Sequence, residues 1–403
     1  MITKNKLKKI VKEMRKTKKV FLIGFLILIL AILIVGAILL INKSVKPSLK
    51  GVFYFKTEGE NSKLFYMVPN KEPEYLLDLP SEEVGTDYYK VPKHSYLSHN
   101  GQVLIYFERT KEMPIGTISE EEGLVAYRIF YKPEYIDLKT GSIKDINQDI
   151  DSGSLVFSTN DKKIAWIKQV EESTVEELES KNKKREVWLS DFDGQSAERL
   201  AILGEKVILL QRWSGHFIYF WGIQGTGYYS LGRINAENGQ VEYLSPQHCS
   251  KNLSNCQNFK FSSSGQLFMY EAGSIKEDKK TIDLFIESFD NQKSWQILVE
   301  NYISDRLWLP DENSIVYTEQ VTEKKGELKE KIHLVNLETK EDKEIYSGSY
   351  ISQLIPNIFG NYLYFLEKET DEKFNLVELN IEKGEARIID SGEYNWLRIF
   401  SSQ

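Results

Sequence analysis

The sequence predicts an all-β fold: a seven-bladed β-propeller closed by its C-terminal strand and preceded by one N-terminal transmembrane helix. Three observations carry this reading. Residues 20–41, "VFLIGFLILILAILIVGAILLI", are apolar throughout. From residue 51 onward a strand–turn–strand pattern returns about every fifty residues, which is the mark of a repeat architecture. The last residues, "EYNWLRIFSSQ", read as a half-buried strand with no hairpin partner behind it.

Taken in order, residues 1–19 form a basic cytoplasmic tail, with "KNKLKKIVKEMRKTKK" holding nine Lys/Arg against one Glu. The apolar run 20–41 would reach about 33 Å as a helix, enough for a hydrocarbon core of roughly 30 Å. A cleaved signal peptide shares the basic-then-apolar order, but this run is long for one and no Ala-x-Ala site follows it. No Cys follows it either, so a lipoprotein anchor does not fit. Lys43, Lys46 and Lys50 are the only charges in the linker 42–50. The excess of positive charge before the run places the N-terminus in the cytoplasm and residues 51–403 outside the cell membrane. Charge divides at the same place. Residues 1–50 carry 12 Lys/Arg and one acid, net +11; the chain is −7 overall, so residues 51–403 carry −18. Such an acidic domain disfavours nucleic acid and tolerates cationic partners.

The repeat begins with "GVFYFKTEG", "SKLFYMVPNKE" and "PEYLLDL", which read as strands B, C and D of a unit that lacks strand A. Complete A–B hairpins follow as "YLSHNGQVLIYFE", "VFSTNDKKIAWIK", "RWSGHFIYFWG", "KFSSSGQLFMYEA", "WLPDENSIVYTEQ" and, more loosely, "LIPNIFGNYLYFLE". Each leads into a C–D hairpin such as "YIDLKTGS" or "GRINAENGQ". Taking Leu97, Phe157, Trp213, Phe261, Leu309 and Ile355 as the ends of strand A gives spacings of 60, 56, 48, 48 and 46, and Phe400 lies 45 residues further on. A four-stranded antiparallel unit cannot wet both faces, and radial stacking buries them. The C-terminal strand is then the missing strand A of the first blade. Six and eight blades are the competing counts.

The pattern Ser-x-x-Gly-x-x-hydrophobic-x-Tyr, followed by Asp-Leu-x-Thr-Gly, resembles TolB-type, WD-repeat-like propellers over residues 51–403. It is carried by Ser98, Gly101 and Tyr106, by Asp137, Leu138, Thr140 and Gly141, and by Ser262, Gly265 and Tyr270. The Asp usual before the turn Gly is Asn100 or Ser264 here, there is no Trp-Asp pair, and the one Gly-His pair, Gly215-His216, stands alone without it. Similar propellers precede the catalytic domain of prolyl-oligopeptidase-type peptidases, but no Gly-x-Ser-x-Gly occurs. The resemblance implies a fold and a habit of binding.

Entry at strand B and exit after strand A put both termini of the propeller on the face of the A–B turns. A linker of nine residues turns that face to the membrane. The opposite face gathers the segment 80–95 and the expected long B–C loops 108–128, 168–186 and 319–331. Thr174 and Glu177 suggest a capping box and a short helix in the second of these. Loops on a rigid scaffold commonly carry binding.

Few residues nominate chemistry. Cys249 and Cys256, the only cysteines, read as a disulfide outside the cytoplasm. Zinc with His248 is a poor alternative, lacking a fourth ligand and a known spacing. Trp213, Trp308 and Trp396 recur beside Arg212, Arg306 and Arg398. They are either a partner-binding ring at the central channel or blade-to-blade packing. No catalytic motif, cofactor signature or metal set is recognisable. The expectation is a non-catalytic module that binds protein or glycan through its membrane-distal face, anchored in the lipid bilayer by 20–41. The alternative is a cell-envelope hydrolase or lyase with carboxylates at the channel mouth.

Overall fold

The computed structural model describes residues 51–58, 61–80, 95–119, 124–168, 184–205, 207–225, 228–250, 256–276, 279–290, 292–299, 301–323, 327–357, 359–393 and 397–401. The chain divides into two compact units, Met1–Ser48 and Leu49–Gln403, and all described residues belong to the second. The predicted tail 1–19, span 20–41 and linker 42–50 lie outside them. Among the described residues no helix is long and apolar enough to cross a membrane.

The second unit is a seven-bladed propeller of antiparallel four-stranded sheets. Blade 1 combines β28 (Leu397–Ser401) with β1 (Val52–Glu58), β2 (Asn61–Met67) and β3 (Glu74–Pro80). Blade 2 holds β4 (Ser95–Leu97), β5 (Val103–Ser119), β6 (Leu124–Asp137) and β7 (Ser142–Asp145). Blade 3 holds β8 (Ile150–Phe157), β9 (Lys163–Lys168), β10 (Arg185–Asp191) and β11 (Glu198–Leu203). Blade 4 holds β12 (Val207–Ser214), β13 (Phe217–Gly225), β14 (Tyr228–Asn235) and β15 (Val241–Tyr243). Blade 5 holds β16 (Cys256–Phe261), β17 (Leu267–Lys276), β18 (Lys279–Ser288) and β19 (Ser294–Ile297). Blade 6 holds β20 (Tyr302–Trp308), β21 (Ser314–Thr322), β22 (Leu328–Asn336) and β23 (Asp342–Gly348). Blade 7 holds β24 (Ile351–Pro356), β25 (Tyr362–Lys368), β26 (Lys373–Asn380) and β27 (Glu385–Glu393).

The ring closes as the repeat predicts. Val52 pairs with Ser401, Tyr54 with Ile399 and Lys56 with Leu397. Strand alternation explains how each blade serves two neighbours. In β5, Leu104 and Tyr106 pack toward blade 1 while Ile105 and Phe107 pack toward blade 3. In β25, Leu363 and Phe365 face blade 6 while Tyr364 and Leu366 face blade 1. Seven apolar clusters result, one at each junction between blades.

Polar links reinforce the junctions at the A–B turns. The fourth turn residue has positive φ in five blades, Gly101, Asp161, Gly265, Glu312 and Gly360, and the shorter turn of blade 4 has it at Gly215. Glycine adopts this backbone freely and other residues at a cost. The two exceptions each clasp the preceding blade. Asp161 accepts from the His99 and Asn100 N–H groups, both at 2.8 Å, and lies 2.8 Å from His99 Nδ1. Glu312 accepts from the Ser264 N–H and, at 2.6 Å, from its hydroxyl.

Two sequence expectations shift. Leu309 follows β20, which ends at Trp308, and Ile355 precedes the end of β24 at Pro356, so each apolar marker is one residue out of step with Leu97 and Phe157. Segments 108–128 and 319–331 are largely strand, because both B–C connections continue as hairpins: β5 and β6 pair out to Ser119 and Leu124, and β21 and β22 to Thr322 and Leu328. Three register shifts, one beside Pro114, keep the first hairpin irregular. Proline is tolerated at such positions because it has no N–H to give the ladder. Thr174 and Glu177 lie outside the described residues.

Candidate functional site

The residues singled out from the sequence are placed as follows. Cys249 and Cys256 are joined in a disulfide in the segment between β15 and β16. Trp213 is buried at the junction of blades 3 and 4, its Nε1–H donating to the Gly215 carbonyl at 3.1 Å. Trp308 is buried between blades 5 and 6, and donates across the junction to the Lys260 carbonyl at 3.3 Å. Arg306, 5% exposed, reaches from β20 to Glu271 on β17 and to the Asn258 carbonyl. Burial pulls the Arg306 guanidinium down from its usual range, and the charges of Glu271 and Asp305 oppose this. Arg212 is held down by burial too, with Glu312 as its opposing charge, and its Nε has no partner among the described residues. Trp396 and the side chain of Arg398 lie outside the described residues. Trp213, Trp308 and Arg306 are therefore held at the junctions.

The recurrent tyrosine of the motif is structural. Tyr106 donates to Glu134, Tyr270 to Glu287, and Tyr317 to Asp342 at 2.8 Å. Burial raises the Tyr270 and Tyr317 hydroxyls, and the facing carboxylates raise them further. Burial works against the Asp342 carboxylate, yet hydrogen bonds from His333 and Tyr317 hold its carboxyl below the usual range.

A cleft of about 660 Å³ opens between blades 6 and 7 at the end of the ring where B–C and D–A connections meet. Its volume falls in the range of small-molecule and side-chain sites. Topology supplies the walls. The ends of β21 and β25 bring Gln320 and Lys368, the starts of β22 and β26 bring Leu328, Glu330 and Phe374, and the connection between β23 and β24 brings Ser349 and Tyr350.

That connection is firmly held. The Lys368 N–H donates to the Tyr350 carbonyl at 2.9 Å, and the Ser349 hydroxyl donates to the Lys368 carbonyl. Glu367 accepts from the Ser349 N–H at 3.1 Å. Gly348 permits this, since a Cβ there would sit 2.2 Å from Glu367 Oε1. Tyr350 meets Phe374 edge to face at 6.3 Å. Leu328 and Tyr350 remain 59% and 44% exposed, so apolar surface faces solvent at the mouth.

Glu330 is the most buried lining residue, at 1% exposed. Its Oε2 accepts from the Ile351 N–H at 2.7 Å, and its Oε1 has no partner among the described residues. The nearby Ser304 hydroxyl is paired with Thr318 at 2.6 Å. Burial pushes the Glu330 carboxyl up; the Ile351 N–H and Ser304 pull it back, and the Asp305 charge adds to the rise. Glu205 is a second buried carboxylate with an unpartnered oxygen, but it is fully buried and does not line this cleft.

No His or Cys occurs in the described lining, and its one serine hydroxyl is bonded to a carbonyl, so it offers no Ser–His or Cys–His pair. No group of three or more metal-binding side chains occurs among the described residues. The cleft was not legible beforehand, but one signal existed. In "LKEKI", Leu328 and Ile332 mark one face of the strand, and Glu330 falls on it.

No family model matches the chain, and no curated protein matches it. Among solved structures it is similar to a prolyl endopeptidase (TM-score 0.58, 11% identity, covering 88% of this chain and 49% of that one). It is similar to oligogalacturonate lyase from Vibrio parahaemolyticus (TM-score 0.53, 13% identity, covering 84% and 86%). TolB from Acinetobacter baumannii is also similar (TM-score 0.45, 12% identity, covering 74% and 63%). The chain thus spans about half the length of the endopeptidase and under two thirds of TolB. Likeness at this level of identity shows the propeller fold alone.

Proposed function

We propose that this protein is a membrane-anchored, extracytoplasmic propeller that binds a protein or glycan partner, without catalysis, through the face where its B–C and D–A connections meet. The observation that carries the reading is the cleft between blades 6 and 7, with exposed Leu328 and Tyr350 on a wall held by backbone hydrogen bonds. A preformed site of this kind lowers the ordering cost of binding. The apolar run 20–41 supports the anchor, and the chain's entry at Gly51 on the A–B side supports turning that side to the bilayer. The described lining supplies no histidine or cysteine, so a hydrolase or lyase acting here would have to work with its carboxylates.

The test is site-specific photocrosslinking in intact cells. A photoreactive residue at Tyr350 should capture a discrete partner. The same residue at Phe359, 78% exposed in the A–B turn of blade 7, should not. Capture only from Phe359 would place binding on the wrong face and end the proposal.

A further inference from the structure

The charge of the cleft is unbalanced. Among the described lining residues, Glu330, Asp371, Glu372 and Glu393 face one cation, Lys368, which is already paired with Asp371 at 2.6 Å. Exposed acids alone are ordinary surface. Glu330 differs, because it is buried at 1% exposure with one carboxylate oxygen left without a donor. A buried carboxylate lacking a full set of donors is costly.

The geometry also limits what that donor can be. Oε2 is occupied by the Ile351 N–H and only Oε1 is left to accept, which suits an end-on donor better than a two-pronged guanidinium. The mouth of the cleft is apolar at Leu328 and Tyr350, which suits an alkyl stem. Resting on the binding role proposed above, we infer that the cleft between blades 6 and 7 receives a lysine side chain of a partner protein, its ammonium meeting Glu330 Oε1 and its methylenes lying against Leu328 and Tyr350. The −18 charge of residues 51–403 favours the approach of a cationic surface.

The test uses the full chain in detergent micelles with ¹³C-methyl-labelled leucine. The probes are acetyl-Ala-Lys-Ala-amide and its norleucine and arginine counterparts. The lysine peptide should shift the Leu328 methyl signals saturably, with the norleucine peptide at least about tenfold weaker. Glu330→Gln, whose amide oxygen can still accept from Ile351, should erase that difference while the methyl spectrum stays folded. Leu328→Ser should weaken the lysine and norleucine peptides alike. Equal shifts from lysine and norleucine would overturn the inference and leave the binding face standing. Tighter arginine than lysine would overturn the ammonium. No shift at Leu328 with any peptide would overturn the site, while the crosslinking result decides the face independently.

Discussion

Burial sets the ionisation of Glu330, and linkage turns this into a stability effect. Its folded carboxyl titrates above its unfolded one, because desolvation outweighs the Ile351 hydrogen bond and the pull of nearby Ser304. In the window between the two, the folded state holds more protons than the unfolded state. Stability from this group is therefore lost as pH rises out of the ordinary glutamate range, and the loss is complete above the folded value. Glu330→Gln carries no such loss. Urea midpoints of the two proteins from acid to neutral pH should diverge, the native chain falling behind as pH rises. A native chain that gains on the variant over that range would mean the carboxylate is stabilised in place. Arg306 and Glu271 make the contrasting case at the same scale. Both are buried, but Glu271 also accepts from Gln257 at 2.8 Å and Asn258 at 3.0 Å, so the pair is satisfied within the fold. These two acids were equally obscure in the sequence, since one carboxylate in a strand looks like surface until burial is known.

At the scale of elements, the A–B turn shows how one substitution can serve two blades. Asp161 takes a backbone conformation that glycine holds in three equivalent turns, and its carboxylate bonds two N–H groups of the preceding blade. Asp161→Ala keeps the unfavourable backbone and loses the clasp, at an expected cost of about 3–6 kcal/mol, since its two hydrogen bonds to a charged group are worth roughly 1.5–3 kcal/mol each. Asp161→Gly loses the clasp but relieves the backbone, and should recover about 1 kcal/mol of that. Denaturant unfolding of both variants checks this; a glycine variant no more stable than the alanine one would refute the backbone argument. Turns of this kind were readable from "SHNGQ" and "STNDKK" because polar residues and Gly interrupt apolar alternation there. The B–C connections were not, because a polar, charge-rich stretch such as "TEQVTEKKGELKEK" satisfies a solvent-exposed hairpin as well as a loop.

For the whole molecule, the repeat gave the blade count and the closure because seven similar units must each bury two faces. Closure itself decides stability. β28 donates strand A to blade 1, covers the edge of β1, and sets Ile399 among Val52, Tyr54, Tyr364 and Leu366 at the junction with blade 7. Its Ile399 N–H also donates to Gln353 of blade 7 at 3.0 Å. Removing residues 397–403 therefore opens an edge and two junctions together. Burial of Ile399 alone is worth about 1.5–3 kcal/mol, against roughly 5–15 kcal/mol for a typical domain, and five strand pairings go with it. The truncated chain should unfold at markedly lower urea and associate through the bared edge of β1, as an unpaired edge invites. A synthetic peptide of residues 397–403 added in trans should restore part of the midpoint, since the docking groove is built by the other strands. A truncated chain that keeps the full midpoint and stays monomeric would mean that the six continuous blades hold the ring without the seam.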